Sequence, residues 1–503
     1  MPGPPLPAER RIDRLLAFIA GASLVLTFAP FEMPWLAPLP LALLLWLLRD
    51  AAPAAALRYG FLFGLGFFGC GTYWLYVSLN VLGGLLPPFA VLLMLCLIAA
   101  TATFVAAAAW LTVRVTPRGS VWLRGLIVFP AAWVLTEWGR GWMVTGFPWQ
   151  SLGYGQVETP FGTLAAITGV YGVTWAVVLM AGALYVAVMR GWATRMLLAA
   201  SVIVMLAGLQ SSYDKQWTVD AGKPLRIGLV QGAIPQELKW NPAQLQPTLD
   251  LYRRLSLELP DRDLIVWPEA AVPALPFEVP DFLEEMHEVM VERDTQLFTG
   301  ILTFQPENGT FLNTLWAIGA EQGQYHKRHL VMFGEYFPLP NFVKRWLRIM
   351  NLPSESIAPG ADDQPLLTAR GVPVAATICY ELAFGAEQLG FLPEAQLLIN
   401  VSNDAWFGDT IAPHQHLQIG QMRARESGRW LLRATNTGIT AVVDPAGQVT
   451  ERIAQFEPGV IIADVIPRSG ATPYVRAGNY PVIALALWCI LAALLWNARR
   501  ATR

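Results

Sequence analysis

The sequence predicts an α-helical membrane bundle of eight spans joined to a layered α/β domain outside the membrane. Three observations predict it. Hydrophobic residues make up 54% of the 503-residue chain and charged residues only 14%, far from the balance of a soluble protein. Apolar stretches near the ~20 residues that cross a bilayer recur through the first two-fifths of the chain and return once near its end. Between them the texture changes to short apolar runs alternating with amphipathic stretches. The net charge of −2 points to neither a nucleic acid nor a polyanionic partner.

The apolar stretches lie near Leu15 to Phe31, Trp35 to Leu48, Tyr59 to Leu82, Pro88 to Val113, Leu123 to Leu135, Phe161 to Met189 and Met196 to Leu209, with an eighth from Tyr480 to Trp496. Short cytoplasmic loops are enriched in Lys and Arg, which fixes the expected orientation. Arg10, Arg11 and Arg14 precede the first stretch, Arg49 and Arg58 follow the second, Arg114 and Arg118 follow the fourth, and Arg190 and Arg195 follow the sixth. Arg499, Arg500 and Arg503 follow the eighth, while the alternate loops are nearly bare of basic residues apart from Arg140. The N-terminus is therefore expected in the cytoplasm and the central block outside. The expected division is 1–212 for the seven-span part, 213–477 for the outer domain, and 478–503 for the last helix and tail. The first stretch is read as an uncleaved helix, since no small-residue cleavage site follows it. Pro2 to Pro7 reads as a disordered tail.

Within the outer block, Leu225 to Gln231, Leu264 to Trp267, Gln296 to Phe304, Leu315 to Ile318, Val372 to Ile378, Leu397 to Val401 and Ile439 to Val443 read as strands. Ala243 to Leu259, Asp281 to Arg293 and Gln415 to Gly428 read as helices. Such alternation predicts an α/β domain large enough to bury its own core.

Several strand runs end in reactive groups. Cys379 closes an apolar run in the outer block, whereas Cys70, Cys96 and Cys489 fall in stretches expected at membrane depth. A disulfide needs Cα atoms within roughly 7 Å, so Cys379 reads as a chemical rather than a structural residue. Glu269 follows Leu264-Ile265-Val266-Trp267-Pro268, where it is either an ordinary surface carboxylate or an acid–base group. Lys327 lies in Tyr325-His326-Lys327-Arg328-His329-Leu330, which taken alone also fits a solvated basic patch.

Together the three make chemical sense. A thiol is mostly protonated at neutral pH and needs a base or a cation to become a nucleophile. A desolvated Glu can take that proton and return it to a leaving group. A Lys can hold the thiolate and the oxyanion formed when an acyl carbonyl is attacked, and a backbone N–H near Tyr380 could add a second donor.

These three segments, with Cys379 in Ile378-Cys379-Tyr380-Glu381, resemble the Glu-Lys-Cys triad of the nitrilase, or carbon-nitrogen hydrolase, superfamily. Phe333-Gly334-Glu335-Tyr336, Asn403-Asp404-Ala405-Trp406-Phe407-Gly408 and Gly146-Phe147-Pro148-Trp149 narrow the resemblance to the bacterial apolipoprotein N-acyltransferase family, over essentially the whole chain. The resemblance implies an αββα nitrilase-like sandwich on the periplasmic face of the bacterial inner membrane. It implies ping-pong transfer of an acyl chain from a phospholipid donor, typically phosphatidylethanolamine, through a Cys379 thioester to the N-terminal amine of a diacylated apolipoprotein. Glu269 would be the base and acid, and Lys327 the stabiliser of negative charge. Glu335, Tyr380, Glu381, Trp240, Asn313 and Trp406 would support the site or contact substrate. No metal or cofactor is implied, and a monomer suffices. Where this chain has Met332 the family commonly has Pro.

His414 and His416 form a His-x-His pair for which no third metal ligand is evident at suitable spacing. Glu137 and Arg140 near the outer end of the fifth stretch read as a structural pair, with lining of an entry path as the alternative. The apolar loops near Trp240, Met332 to Phe337 and Phe342 to Leu352 are expected to form a lipid-side entrance, with Lys344, Arg345 and Arg348 at phosphate depth. Two other functions fit less of the sequence. A membrane-tethered amidase acting on a small amide would use the same triad but not need seven spans, and a transporter or lipid-binding protein would not need an intact triad.

Overall fold

The computed structural model describes residues 11–211, 215–307, 309–332, 334–336 and 357–501. The chain divides into two compact units. One comprises Met1–Lys215, Thr410–Gln418 and Thr472–Arg503, and the other Gln216–Asp409 and Ile419–Ala471.

In the first unit, five helices among the described residues are long and apolar enough to cross a membrane: Pro53–Gly71, Pro87–Val115, Pro160–Met189, Trp192–Ser211 and Tyr480–Arg499. The stretch expected from Tyr59 to Leu82 does not form one helix. It ends at Gly71, and a short turn at Trp74–Tyr76 leads into a wide-turn segment, Val77–Leu82. The first expected span is a helix over Arg11–Ser23 continued by a tighter turn to Thr27, and the second is the shorter apolar helix Pro34–Leu47. The fifth is longer than its apolar run, because wide helical turns at Leu123–Val128 lead directly into the helix Phe129–Arg140.

Glu137 and Arg140 are buried in this unit. The Glu137 carboxylate accepts from Thr174 Oγ1 at 2.6 Å and from the Leu152 amide at 3.1 Å. Arg140 donates to the carbonyls of Phe147 and Trp149, so it is held by the Gly146-Phe147-Pro148-Trp149 turn. Trp149 is fully buried and donates to Gln415 Oε1 at 2.7 Å, and its ring packs on His416. Both polar groups thus knit loops together inside the helical unit, which is how buried charge is tolerated.

Among its described residues the second unit contains fourteen strands: β1 (Val219–Asp220), β2 (Leu225–Gln231), β3 (Leu264–Val266), β4 (Gln296–Gln305), β5 (Thr310–Ile318), β6 (Gly323–His326), β7 (Leu367–Ala369), β8 (Val372–Ile378), β9 (Leu397–Ser402), β10 (Leu431–Thr435), β11 (Ala441–Val443), β12 (Val449–Arg452), β13 (Gly459–Val465) and β14 (Arg468–Ser469). Apart from the β1–β14 pair they form two six-stranded sheets, in the orders β13-β2-β3-β4-β5-β6 and β7-β8-β9-β10-β11-β12. Each sheet has the same plan. Three parallel strands, β2-β3-β4 or β8-β9-β10, are flanked by one antiparallel strand on one side and two on the other.

The parallel strands are mostly apolar because both faces are covered. Helices Pro242–Leu257 and Pro280–Glu292 supply Leu249, Tyr252, Met286 and Met290 to a core with Val230, Ile265, Leu297 and Ile301. Hydrogen bonds join the inner faces of the two sheets, Gln231 Oε1 accepting from Thr440 Oγ1 at 2.6 Å. The helix Ala412–Ser427 links β9 to β10, with Pro413 in its first turn, where the missing N–H costs nothing. Strands β6 and β10 escape a reading of apolar runs for a common reason: they carry polar residues whose partners come from elsewhere in the fold, Tyr325 in β6 reaching Glu381 and Arg433 in β10 reaching Asp404.

Candidate active site

Glu269 sits just past the end of β3. Its turn is tight: Gly300 N donates to Pro268 O at 3.1 Å, and Ala270 takes a left-handed φ of 47°. Strand β4 must pass directly beneath, and a Cβ on Gly300 would come within 2.6 Å of the Glu269 Cα. Both carboxylate oxygens are engaged. Oε1 accepts from Asn313 Nδ2 at 2.7 Å and Oε2 from the Asn403 amide at 2.7 Å. Asn313 comes from β5, and Asn403 from the loop after β9 in the other sheet.

Lys327 is the first residue after β6, and its amide donates to Asn313 O at 2.8 Å. Its side chain is buried, with Nζ 2.8 Å from Glu335 Oε1 and 3.6 Å from Glu269 Oε1. Burial alone would lower the ammonium's pKa, but Glu335 and Glu269, with Cys379, hold it well above the usual lysine value. The second Glu335 oxygen accepts from the Val331 amide at 2.8 Å, which closes the turn after Lys327.

Cys379 follows β8 directly and has a φ of 54°, a left-handed conformation that non-glycine residues rarely adopt. The turn is held from below by Glu381. That buried carboxylate accepts from the amides of Ile378 at 2.7 Å, Arg328 at 2.6 Å and His329 at 3.1 Å, and from Tyr325 Oη at 3.0 Å. One carboxylate therefore ties the Cys379 turn to the segment carrying Lys327. Burial raises the Glu381 pKa, and the three amide donors oppose the rise. The Cys379 carbonyl accepts from Asn400 Nδ2 at 3.4 Å.

Burial also pushes the Cys379 thiol well above the ordinary cysteine value; Glu269 and Asp404 push it further, while Lys327 and a hydrogen bond with Ser402 oppose them. Asp404 is itself paired with Arg433 at 2.6 Å, both side chains being fully buried, and accepts from Ser402 Oγ at 2.6 Å. The resting thiol is thus protonated, and it lies within electrostatic reach of both a carboxylate and an ammonium.

The structure brings together Glu269, Lys327, Glu335 and Asn313 by direct hydrogen bonds or ion pairs. Cys379 couples electrostatically to Glu269 and Lys327, and Glu381 secures the turn beneath it. Tyr380 is half-buried, its ring edge-on to Phe384 at 5.0 Å, while His329 stacks on Phe384 at 3.5 Å. Trp240 and Trp406 are 48% and 41% exposed and present large apolar surfaces. Phe333, Phe337 and the Phe342 to Leu352 segment, with Lys344, Arg345 and Arg348, lie outside the described residues.

Four residues at the site were not assigned roles from sequence: Lys239, Asn403, Asp404 and Arg433. Asn403 acts through its backbone amide, which leaves no mark on side-chain chemistry. Arg433 could have been noticed as a cation inside the apolar run Leu431-Leu432-Arg433-Ala434, with Asp404 as a fully buried acidic partner. Lys239 is flanked by the apolar Leu238 and Trp240, a pattern that admits an inward-pointing lysine.

Comparison with known proteins matches residues 20–183 to the Apolipoprotein N-acyltransferase N-terminal domain and residues 226–474 to the Carbon-nitrogen hydrolase family. Proteins named apolipoprotein N-acyltransferase are similar over nearly their whole length. The one from Methylococcus capsulatus is 42% identical, covering 94% of this chain and 94% of that protein. That of Pseudomonas putida is 40% identical over 95% of this chain and 96% of its own. Among solved structures, a nitrilase-superfamily protein of Saccharomyces cerevisiae aligns with 49% of this chain and 91% of its own at 17% identity, with a TM-score of 0.37. With a carbon-nitrogen hydrolase domain following the family's N-terminal domain, and relatives at these identities along the full length, the chain belongs to the apolipoprotein N-acyltransferase family.

Proposed function

We propose that this protein is an N-acyltransferase that moves an acyl chain from a phospholipid to the N-terminal amine of a diacylated lipoprotein. The observation that carries the chemistry is the convergence of a buried Glu269, a buried Lys327 and the Cys379 thiol at the ends of strands from both sheets. A resting thiol of this kind needs a proton acceptor at the moment of attack.

Glu269 takes the Sγ proton as sulfur attacks the ester carbonyl of the donor. The oxyanion is stabilised by Lys327, whose charge is secured by Glu335. Glu269 then returns the proton to the departing glycerol oxygen, releasing lysophospholipid and leaving a thioester on Cys379. In the second half, the acceptor amine attacks the thioester, gives its proton to Glu269 and leaves as the amide, and the thiolate is reprotonated. The proton that Cys379 gives to the lysophospholipid in the first half is regained from the amine in the second, so only the full cycle restores the resting enzyme. Asn313 and Asn403 keep both Glu269 oxygens aimed. Tyr380, Trp240 and Trp406 line the approach of the acyl chains.

The substrates explain the apolar unit. Each methylene buried in a bilayer is worth about 0.8 kcal/mol, so drawing an acyl chain into a water-facing site is prohibitively slow. A site anchored at the membrane avoids that step. The proposed placement is an eight-span protein of the bacterial inner membrane, divided at 1–212, 213–477 and 478–503. Its catalytic domain faces the periplasm, the donor is phosphatidylethanolamine, no nucleic acid takes part, and one chain suffices. The loop arginines support the orientation.

Purified protein incubated with phosphatidylethanolamine alone should acquire one acyl adduct on Cys379, read by mass spectrometry. Adding a diacylated peptide should discharge it to the peptide amine. An adduct that persists in Cys379→Ala, or discharge to water alone, would remove this function.

A further inference from the structure

The Glu269 turn is gripped from its far side. Lys239 Nζ donates to the main-chain carbonyl of Glu269 at 3.1 Å, and only 3% of the lysine is exposed. This carbonyl lies between the carboxylate-bearing residue and Ala270, whose φ of 47° marks a turn that does not hold its shape for nothing. The same short helix, Gln236–Lys239, makes a second connection. Gln236 Oε1 accepts from Asn403 Nδ2 at 2.8 Å, and the Asn403 amide is the donor to Glu269 Oε2. A single turn of chain therefore touches Glu269 twice, once at its carbonyl and once through Asn403. Its outer side presents Leu238 and Trp240, 40% and 48% exposed.

We propose that Lys239 is a positioning residue for acyl transfer, whose ammonium fixes the Glu269 turn and adds a positive charge behind the carboxylate, and which links the outward-facing Trp240 segment to the acid–base group. This rests on the assignment of proton transfer to Glu269. The charged groups facing Glu269 among the described residues are Lys327 at 3.6 Å and, by longer-range coupling, Cys379 and Lys239 itself; Glu335 faces it through the shared Lys327. Burial pushes the Lys239 ammonium down to about 8, with Glu269 opposing. Lys239 is therefore charged throughout the acid range in which a carboxylate titrates, and its loss removes a full positive charge there.

The test is the rate of Cys379 acylation by phosphatidylethanolamine between pH 4 and pH 8, for wild type, Lys239→Gln, Lys239→Met and Lys239→Arg. Removal of the charge should slow acylation roughly ten-fold or more at neutral pH and move the acid limb up by about half a unit to one unit. Lys239→Arg, which keeps charge and donor, should restore the limb. Thermal unfolding in detergent identifies any variant that fails to fold, and the Gln–Arg comparison then decides alone. If wild type forms no Cys379 adduct, the assignment of the reaction fails. If wild type is acylated and Lys239→Gln gives the same limb and rate, the role of Lys239 is overturned.

Discussion

The ammonium of Lys327 lies closer to Glu335, at 2.8 Å, than to Glu269, at 3.6 Å. The charge that should meet the oxyanion is thus anchored by a carboxylate other than the proposed base, which leaves Glu269 able to change protonation without stranding the lysine. Three carboxylates, Glu269, Glu335 and Glu381, lower the energy of the Lys327 cation or of the turn beside it, and none is exposed.

From this arrangement, Glu335→Gln should slow Cys379 acylation by roughly 10- to 100-fold, because a preorganised charge loses its anchor. Folding should survive, since the Gln oxygen can still accept from Lys327 or Val331. The check is adduct formation followed against time, with circular dichroism as the control. An unchanged rate would remove Glu335 from the site.

Thiol reactivity should respond with opposite signs to the two neighbours. Glu269 raises the Cys379 pKa and Lys327 lowers it. Glu269→Gln should therefore increase the thiolate fraction and speed iodoacetamide alkylation at pH 7 to 8, while abolishing acyl transfer. Lys327→Met should slow alkylation. For wild type, the alkylation rate should still be climbing with pH above the ordinary thiol value of 9.0, because the folded-state pKa is raised. Changes of the same sign in both variants would contradict the electrostatics.

The left-handed Cys379 should make the nucleophile a locus of strain. With a φ of 54°, Cys379→Gly is expected to be more stable than Cys379→Ala by about 1 kcal/mol, because only the alanine retains a Cβ in the left-handed region. Both should be inactive. Paired thermal melts in detergent measure the difference, and an alanine variant at least as stable as the glycine one would show an unstrained turn.

Removing one partner of the Asp404–Arg433 pair leaves a buried charge. Arg433→Met should cost about 3–5 kcal/mol, and the double change with Asp404→Leu should recover part of it. Chemical or thermal unfolding of the three variants tests this, and additive losses would mean that the pair does not interact as its 2.6 Å separation implies.

Much of the α/β unit was legible in the chain. Val372 to Ile378 and Leu225 to Gln231 read as strands because a parallel strand covered on both faces is mostly apolar, and they are strands over those residues. Strand β6 was not legible. Gly323-Gln324-Tyr325-His326 has no apolar run, and its membership depends on pairing with β5 and on Tyr325 reaching Glu381. In the apolar unit the sequence marked where hydrophobic segments lie, whereas backbone geometry divided the Tyr59 to Leu82 stretch at Gly71.

The sequence by itself determined the chemical inventory: a thiol and a carboxylate, each at the close of an apolar run, and an ammonium in a basic segment, alongside segments long enough to meet a membrane. It could do so because hydrophobic periodicity and residue type are local properties. Only the tertiary structure decided the pairings. Glu335 anchors Lys327, the Asn403 amide orients Glu269, Glu381 fastens the Cys379 turn to the Lys327 segment, and Lys239 grips Glu269 from behind. These contacts join residues distant in the chain or use backbone groups common to every residue, and only the folded chain selects among them.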